Sequence, residues 1–233
     1  MKLWLVLVTL ASLEAQDAAG ILRRYAGHNF DRLRDRTYDQ RIEVHSVDEN
    51  GADASLTRIV RIQLENGLKA TRVFDENNAP VLENANKKDA NAVLWQEVRG
   101  IECPNGRRLA KLTGLKSMDA EQVDGRAAWI VSGQTKAGAE HHWLKLWVDQ
   151  QDFACVKFED TSETKRAGLF GGSLTNTKLT LEQARNSEGV WLPSKGSMEL
   201  QQYFRDGSRR VEWQTSFSNF QLFRGESQVL KAP

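Results

Sequence analysis

"KLWVDQQDFACVKFE", residues 145–159, runs apolar, turns on Asp149-Gln150-Gln151-Asp152 and runs apolar again, which spells a β-hairpin. In the first arm Leu144, Leu146 and Val148 project to one side of a strand, and Trp143, Lys145 and Trp147 to the other. A strand with one wet face needs a single apolar face, and this one offers two. Two readings stay open: the sheet is covered on both sides in this region, or the leucines and the valine are core and the tryptophans cap an edge.

Outward from this hairpin the same pattern repeats. "TYDQRIEVHSV" (37–47) and "SLTRIVRIQLE" (55–65) alternate, setting Ile42 and Val44, then Val60, Ile62 and Leu64, on one face, with "DENG" between them as a turn. "ENG" at 65–67 leads into "LKATRVF" (68–74), which completes a three-stranded antiparallel meander. Beyond residue 112, turns at 123–125, 150–152, 187–189 and 205–207 divide the chain into further strands, nine or ten in all, with no β-α-β alternation. Helical spacing occurs twice: Ile21, Leu22, Tyr25, Phe30 and Leu33 in "DAAGILRRYAGHNFDRLRD" (17–35), and Ala90, Val93, Leu94 and Val98 near 84–99. The pattern predicts one domain, an antiparallel sheet with helices packed on one side.

The N-terminus reads as an address. "MKLWLVLVTLASLEAQ" has Lys2, an apolar run from Leu3 to Leu10 and small residues up to Ala15, the composition of a cleaved signal peptide over 1–15. About eight apolar residues cannot span roughly 30 Å of hydrocarbon. The mature chain, 16–233, is therefore expected in the periplasm. Cys103 and Cys155 are the two cysteines, and in an oxidising compartment they are either bridged, the expected state, or two buried thiols. Neither lies in a C-x-x-C or beside a His. A net charge of +1 from interleaved acids and bases lacks the basic stripe that a nucleic-acid backbone requires.

Catalytic patterns are absent. No G-x-S-x-G, P-loop or H-E-x-x-H occurs, His141 and His142 would face opposite sides of a strand, and His28 and His45 have no partner readable from spacing. No enzyme activity, metal or cofactor is expected.

In order along the chain come an export signal, a first helix, a long meander, a midchain helical insertion, then "EQVDGRAAWIVSG" (121–133), "LKLWVDQQDFACVKFE" (144–159), "GVWLPSKGSMEL" (189–200) and "EWQTSFSNFQLF" (212–223). This order resembles the LolA-like periplasmic lipoprotein-carrier superfamily, and most of all its bacterial outer-membrane lipoprotein-sorting relatives. The resemblance implies an α+β fold: a single, strongly curved antiparallel sheet, a half-barrel, with helices on its concave side. It also implies a non-enzymatic carrier or binding protein for the acyl chains of lipoproteins or lipids, monomeric, exchanging cargo with membrane-associated donor and acceptor proteins. The alternative is an envelope protein-interaction or stress-sensing module on the same scaffold; the chain ends soon after the last strand, which leaves no room for the added domain such modules carry.

The expected apolar ligand wall consists of Trp129, Trp143, Trp147, Trp191 and Trp213, among seven Trp in the chain, with Leu169 and Phe170 of "KRAGLFGGSL" (165–174) as a lid or as side chains tucked against the sheet edge. Arg41, Arg58, Arg61 and Arg72 lie on predicted strands, and nothing in the sequence chooses among them for a gating role.

Overall fold

Hairpins account for nearly all of the architecture. The computed structural model describes residues 17–28, 35–65, 68–81, 100–166, 172–205 and 207–223. Its elements are α1 (Ala18–His28), β1 (Arg36–Asp48), β2 (Asp53–Glu65), β3 (Leu68–Phe74), α2 (Gly106–Leu109), β4 (Thr113–Val123), β5 (Arg126–Ala137), β6 (Glu140–Asp149), β7 (Cys155–Arg166), β8 (Ser173–Arg185), β9 (Trp191–Phe204) and β10 (Gly207–Leu222). The signal stretch 1–15, the end of the first predicted helix with Phe30 and Leu33, and the predicted helix near 84–99 lie outside the described residues.

The strands form one ten-stranded antiparallel sheet in the order β3-β2-β1-β10-β9-β8-β7-β6-β5-β4. β3 and β4 are its edges, so the sheet is open. The first strand pairs with the last over most of its length, from Arg36 opposite Leu222 to Asp48 opposite Arg209. The turns are set by side chains. Asp48 accepts from the N–H groups of Asn50 and Ala52 at 2.9 and 2.9 Å, Asp75 from Asn77 and Ala79 at 2.9 and 2.8 Å, and Asn186 from Glu188 and Val190 at 3.0 and 2.8 Å. Between β4 and β5, Asp124 and Gly125 take φ of 48° and 74°, the left-handed pair that a two-residue hairpin turn matched to strand twist requires.

One face of the sheet carries α1. On this inner face the register lines up Ile42, Thr215, Gly196, Leu181, Phe158, Leu146 and Val131 in a row across seven strands. Gly196 is bare because a Cβ there would stand 2.9 Å from Thr215 Cγ2 and 3.1 Å from the Thr180 carbonyl oxygen. α1, at 11 residues, is too short to persist alone in water. Ile21, Leu22 and Tyr25 bury it against Leu109, Leu112, Val131, Leu144, Leu146, Val148, Phe158 and Leu181. A second inner cluster, around Tyr38, Ile42, Val44, Val60, Ile62, Met198, Leu200, Val211 and Trp213, fills the β1, β2, β9 and β10 half. Ile101, Leu179 and Phe217 touch both clusters and join them.

The segment from Ile101 to Pro104 fastens these parts together. Cys103 is bonded to Cys155 at the start of β7, with Cα atoms 6.4 Å apart. Tyr25 Oη donates to the Pro104 carbonyl at 2.8 Å, and Glu102 meets Arg36 at 2.7 Å and Tyr38 Oη at 3.3 Å. Burial pushes both phenols up from their ordinary pKa, with the Glu102 charge adding to the effect at Tyr38. α2 begins at Asn105, whose side chain accepts from the Arg108 N–H at 3.0 Å.

The doubly apolar strand at 143–148 is explained by a third cluster on the opposite, outer face. There Ala128, Ile130, Trp147, Ala154, Val156 and Trp191 pack together, with Val123 of β4 against them. Both readings of the sequence are thus half right. Leu144, Leu146 and Val148 are inner core, Trp147 is outer core, and Trp143 is 42% exposed.

Candidate functional site

The expected ligand wall is divided by the fold. Trp147 and Trp191 share the outer cluster, Trp129 packs from the edge of the α1 cluster with its ring 5.2 Å from Phe153, and Trp213 belongs to the second inner cluster. Trp143 is exposed on the outer face, its ring 4.0 Å from that of His141. Only Trp129 and Trp213 therefore stand on the inner face, while Leu169 and Phe170 lie outside the described residues.

The outer pair is fully provided with partners. Trp147 Nε1 donates to Glu121 at 2.8 Å, and the Lys145 and Lys157 ammonium groups sit 4.6 and 4.7 Å from its ring centroid. Trp191 Nε1 donates to Asp152 at 3.0 Å. Asp152 also receives Arg126 at 3.1 Å and Arg185 at 3.2 Å. Arg126 grips Asp149 with two bonds of 2.7 and 2.8 Å, and Asp149 further accepts from the Gln151 and Asp152 N–H groups at 2.9 and 2.6 Å. Burial alone would raise the Asp149 pKa, but the Arg126 fork and these two backbone donors outweigh it and hold the carboxyl below its ordinary value. This network closes hairpin ends.

Trp213 is different. It is 1% exposed, and its indole Nε1 is buried with no hydrogen-bond partner among the described residues. An orphaned buried donor costs roughly 1–3 kcal/mol. It sits opposite Val44 and Met198 on the inner face, one row from Ile42 and Thr215. Leu179 and Phe217, both partly exposed, extend this surface toward the α1 cluster.

Charged groups on the inner face are few and ordered. Asp160 is buried between Leu179 and Leu144 in the same lateral row. Arg108 of α2 pairs with it, and His142 Nδ1 lies 3.1 Å from its Oδ1. His141 and His142 both lie inside β6, on opposite faces as alternation requires. His45, without a partner readable from spacing, meets Asp53 across the β1–β2 hairpin at 3.1 Å. Among the four strand arginines, Arg61 forks onto Asp39 at 2.8 and 3.2 Å on the outer face, and Arg41 pairs with Glu43 at 2.8 Å. Arg58, opposite Ile42, faces inward, with Nη1 donating to the Thr57 carbonyl at 2.8 Å. Among the described residues no group of three or more His, Cys, Asp or Glu stands together as a metal would require, and no helix is long and apolar enough to cross a membrane.

The chain is similar to solved LolA-like structures. A LolA superfamily protein from Nitrosomonas europaea matches over 91% of this chain and 96% of its own, at 14% identity and a TM-score of 0.38. A DUF1329 family protein from Desulfovibrio piger matches over 90% and 92%, at 12% identity and a TM-score of 0.40. The Pseudomonas aeruginosa MucA/MucB complex supplies a chain matched over 89% and 99%, at 14% identity and a TM-score of 0.28. No family model and no curated protein matches the sequence. These likenesses assign no residue of this chain a role.

Proposed function

We propose that the chain is a non-enzymatic binding protein that holds an acyl chain, of a lipid or of a lipoprotein, against the inner face of its sheet. The observation that carries this reading is the buried Trp213 N–H, left without an acceptor among the described residues while Trp147 and Trp191 each have one. An acyl ester or amide that parts the side chains over Trp213 supplies a carbonyl oxygen for the indole, and its methylenes lie on the partly exposed Leu179 and Phe217 surface beside it. Arg58 adds an inward cation within reach of a carboxylate or phosphate head group. Each buried methylene contributes about 0.8 kcal/mol before ordering costs, so the chain provides affinity and the indole provides register. The sheet then acts as a curved, concave half-barrel.

Trp213→Phe separates a binding role from a packing role. Removing one neutral hydrogen bond of about 1 kcal/mol weakens binding of a lysophospholipid roughly fivefold in a calorimetric titration. The melting temperature of the unliganded protein should fall only by the packing that the smaller ring forfeits, an effect partly offset because the substitution also deletes the orphaned donor. Unchanged affinity with a large loss of stability would assign Trp213 to the core alone.

Export belongs to the same proposal: cleavage after Ala15 releases the mature protein into the periplasm. N-terminal sequencing of protein recovered from that compartment should begin at Gln16 or a few residues beyond, whereas full-length protein in the cytoplasm would overturn it. A protein-interaction role is the second reading. It is favoured by β4, an 11-residue strand whose residues are mostly exposed and which is an edge of the sheet among the described residues.

A further inference from the structure

On the outer face, away from the proposed acyl site, Trp143 stands in a cleft of about 420 Å³ at the β4–β7 end of the sheet. Its neighbours across the ladder are Gln134 and Thr161, and one step along are Ser132, Lys145 and Glu159. Every residue of this cleft is described, and its volume lies within the range of small-molecule sites. The indole is 42% exposed, and the His141 ring, tilted 37° at 4.0 Å and within 3.3 Å of Gln134 Oε1, steadies it.

We propose that this cleft binds a neutral sugar ring, with the indole as its stacking platform. The lining decides the class. A lipid is disfavoured because, besides the indole, the one large apolar residue in the lining is Leu144, itself 3% exposed, and the others are glycines or carry hydroxyl, amide or charged groups. A strongly charged ligand is disfavoured: Glu159, which faces the site, is paired with Lys157 at 3.1 Å, and of the two lining lysines Lys145 is drawn over the Trp147 ring at 4.6 Å, which leaves Lys116 as a single cation. What fits is a ligand with one flat apolar face and a rim of hydroxyls: a pyranose lays its axial C–H bonds on the indole and turns its equatorial hydroxyls to Ser132, Gln134, Glu159 and Thr161. Short side chains at 132 and 161 leave the indole standing above its surroundings, so a ring can reach it.

The test is a ¹H–¹⁵N titration of the mature protein with cellobiose and, separately, with N,N′-diacetylchitobiose. The Trp143 indole resonance should shift saturably in the millimolar range with at least one of them. Trp143→Ala should weaken binding about tenfold or more, and Trp143→Tyr should retain it within about threefold. Because Trp143 is half exposed, both variants keep the fold, and their melting temperatures verify it. An indole resonance unmoved by either disaccharide, or equal binding by Trp143→Ala, would overturn the proposal.

Discussion

Opening the Cys103–Cys155 bridge, by reduction or by replacing both residues with alanine, is expected to lower the unfolding free energy by about 4 kcal/mol in the chain-entropy account of a loop this long. The bond joins residues 52 apart in sequence. It also fixes the segment that receives Tyr25 from α1 at Pro104 and Arg36 from β1 at Glu102, so its loss frees three elements together. Urea unfolding of the oxidised and reduced protein measures the effect. A difference below about 1 kcal/mol would mean that the 101–104 segment is held by its hydrogen bonds and packing alone.

Replacing Asp149 with Ala is the other large change, expected to cost about 3 kcal/mol, because it strips a 1% exposed carboxylate from Arg126 and from two backbone donors at once. The loss should be visible in the same urea experiment. Its pH dependence follows from the direction of the shift. The folded-state pKa lies below the ordinary 3.8, so the contribution is fully present above that value and is lost as pH falls through the lower, folded one. Asp39 behaves in the same sense: the hydrogen bond from Arg61 comes first among the causes, and those of Asn219 and the Arg61 charge add to it against burial. The gap between wild type and Asp149→Asn should therefore be widest near neutrality and narrow below about pH 3.8. A gap that widens on acidification would show that the carboxylate is not stabilised in the fold.

Local pattern made most of the sheet legible. Alternation put Ile42, Val44, Val60 and Ile62 on one face, where the structure packs them together. The turn signals at 123–125 and 187–189 fall between β4 and β5 and between β8 and β9. Helical spacing at Ile21, Leu22 and Tyr25 marked α1 and its buried side. What stayed hidden is what depends on long-range pairing. No short-range signal tells that β1 lies beside β10 or that β3 and β4 become edges, because both follow from how the chain closes between elements far apart in sequence.

The tryptophans show the same limit. Alternation distinguishes the two sides of β6, but it cannot say which residues are covered, and here Glu121, Lys145, Lys157 and the outer cluster cover Trp147 while Trp143 is left in the open. Asp160 did carry a signal. It continues the inward positions of the 155–160 run after Phe158, and a charge at an apolar position of an alternating strand implies a buried partner, supplied by Arg108 and His142. The missing acceptor of Trp213 has no sequence signature, since it depends on the geometry of every neighbour.

That missing acceptor also provides the most direct measurement. In a ¹H–¹⁵N spectrum, the Trp213 indole peak is identified by its disappearance in Trp213→Phe. Titration with a lysophospholipid should move this peak downfield and saturate it, as a new hydrogen bond from Nε1 to the ester carbonyl requires. A Trp213 peak that stays in place at saturating lipid, in folded wild-type protein, would contradict acyl binding at the inner face.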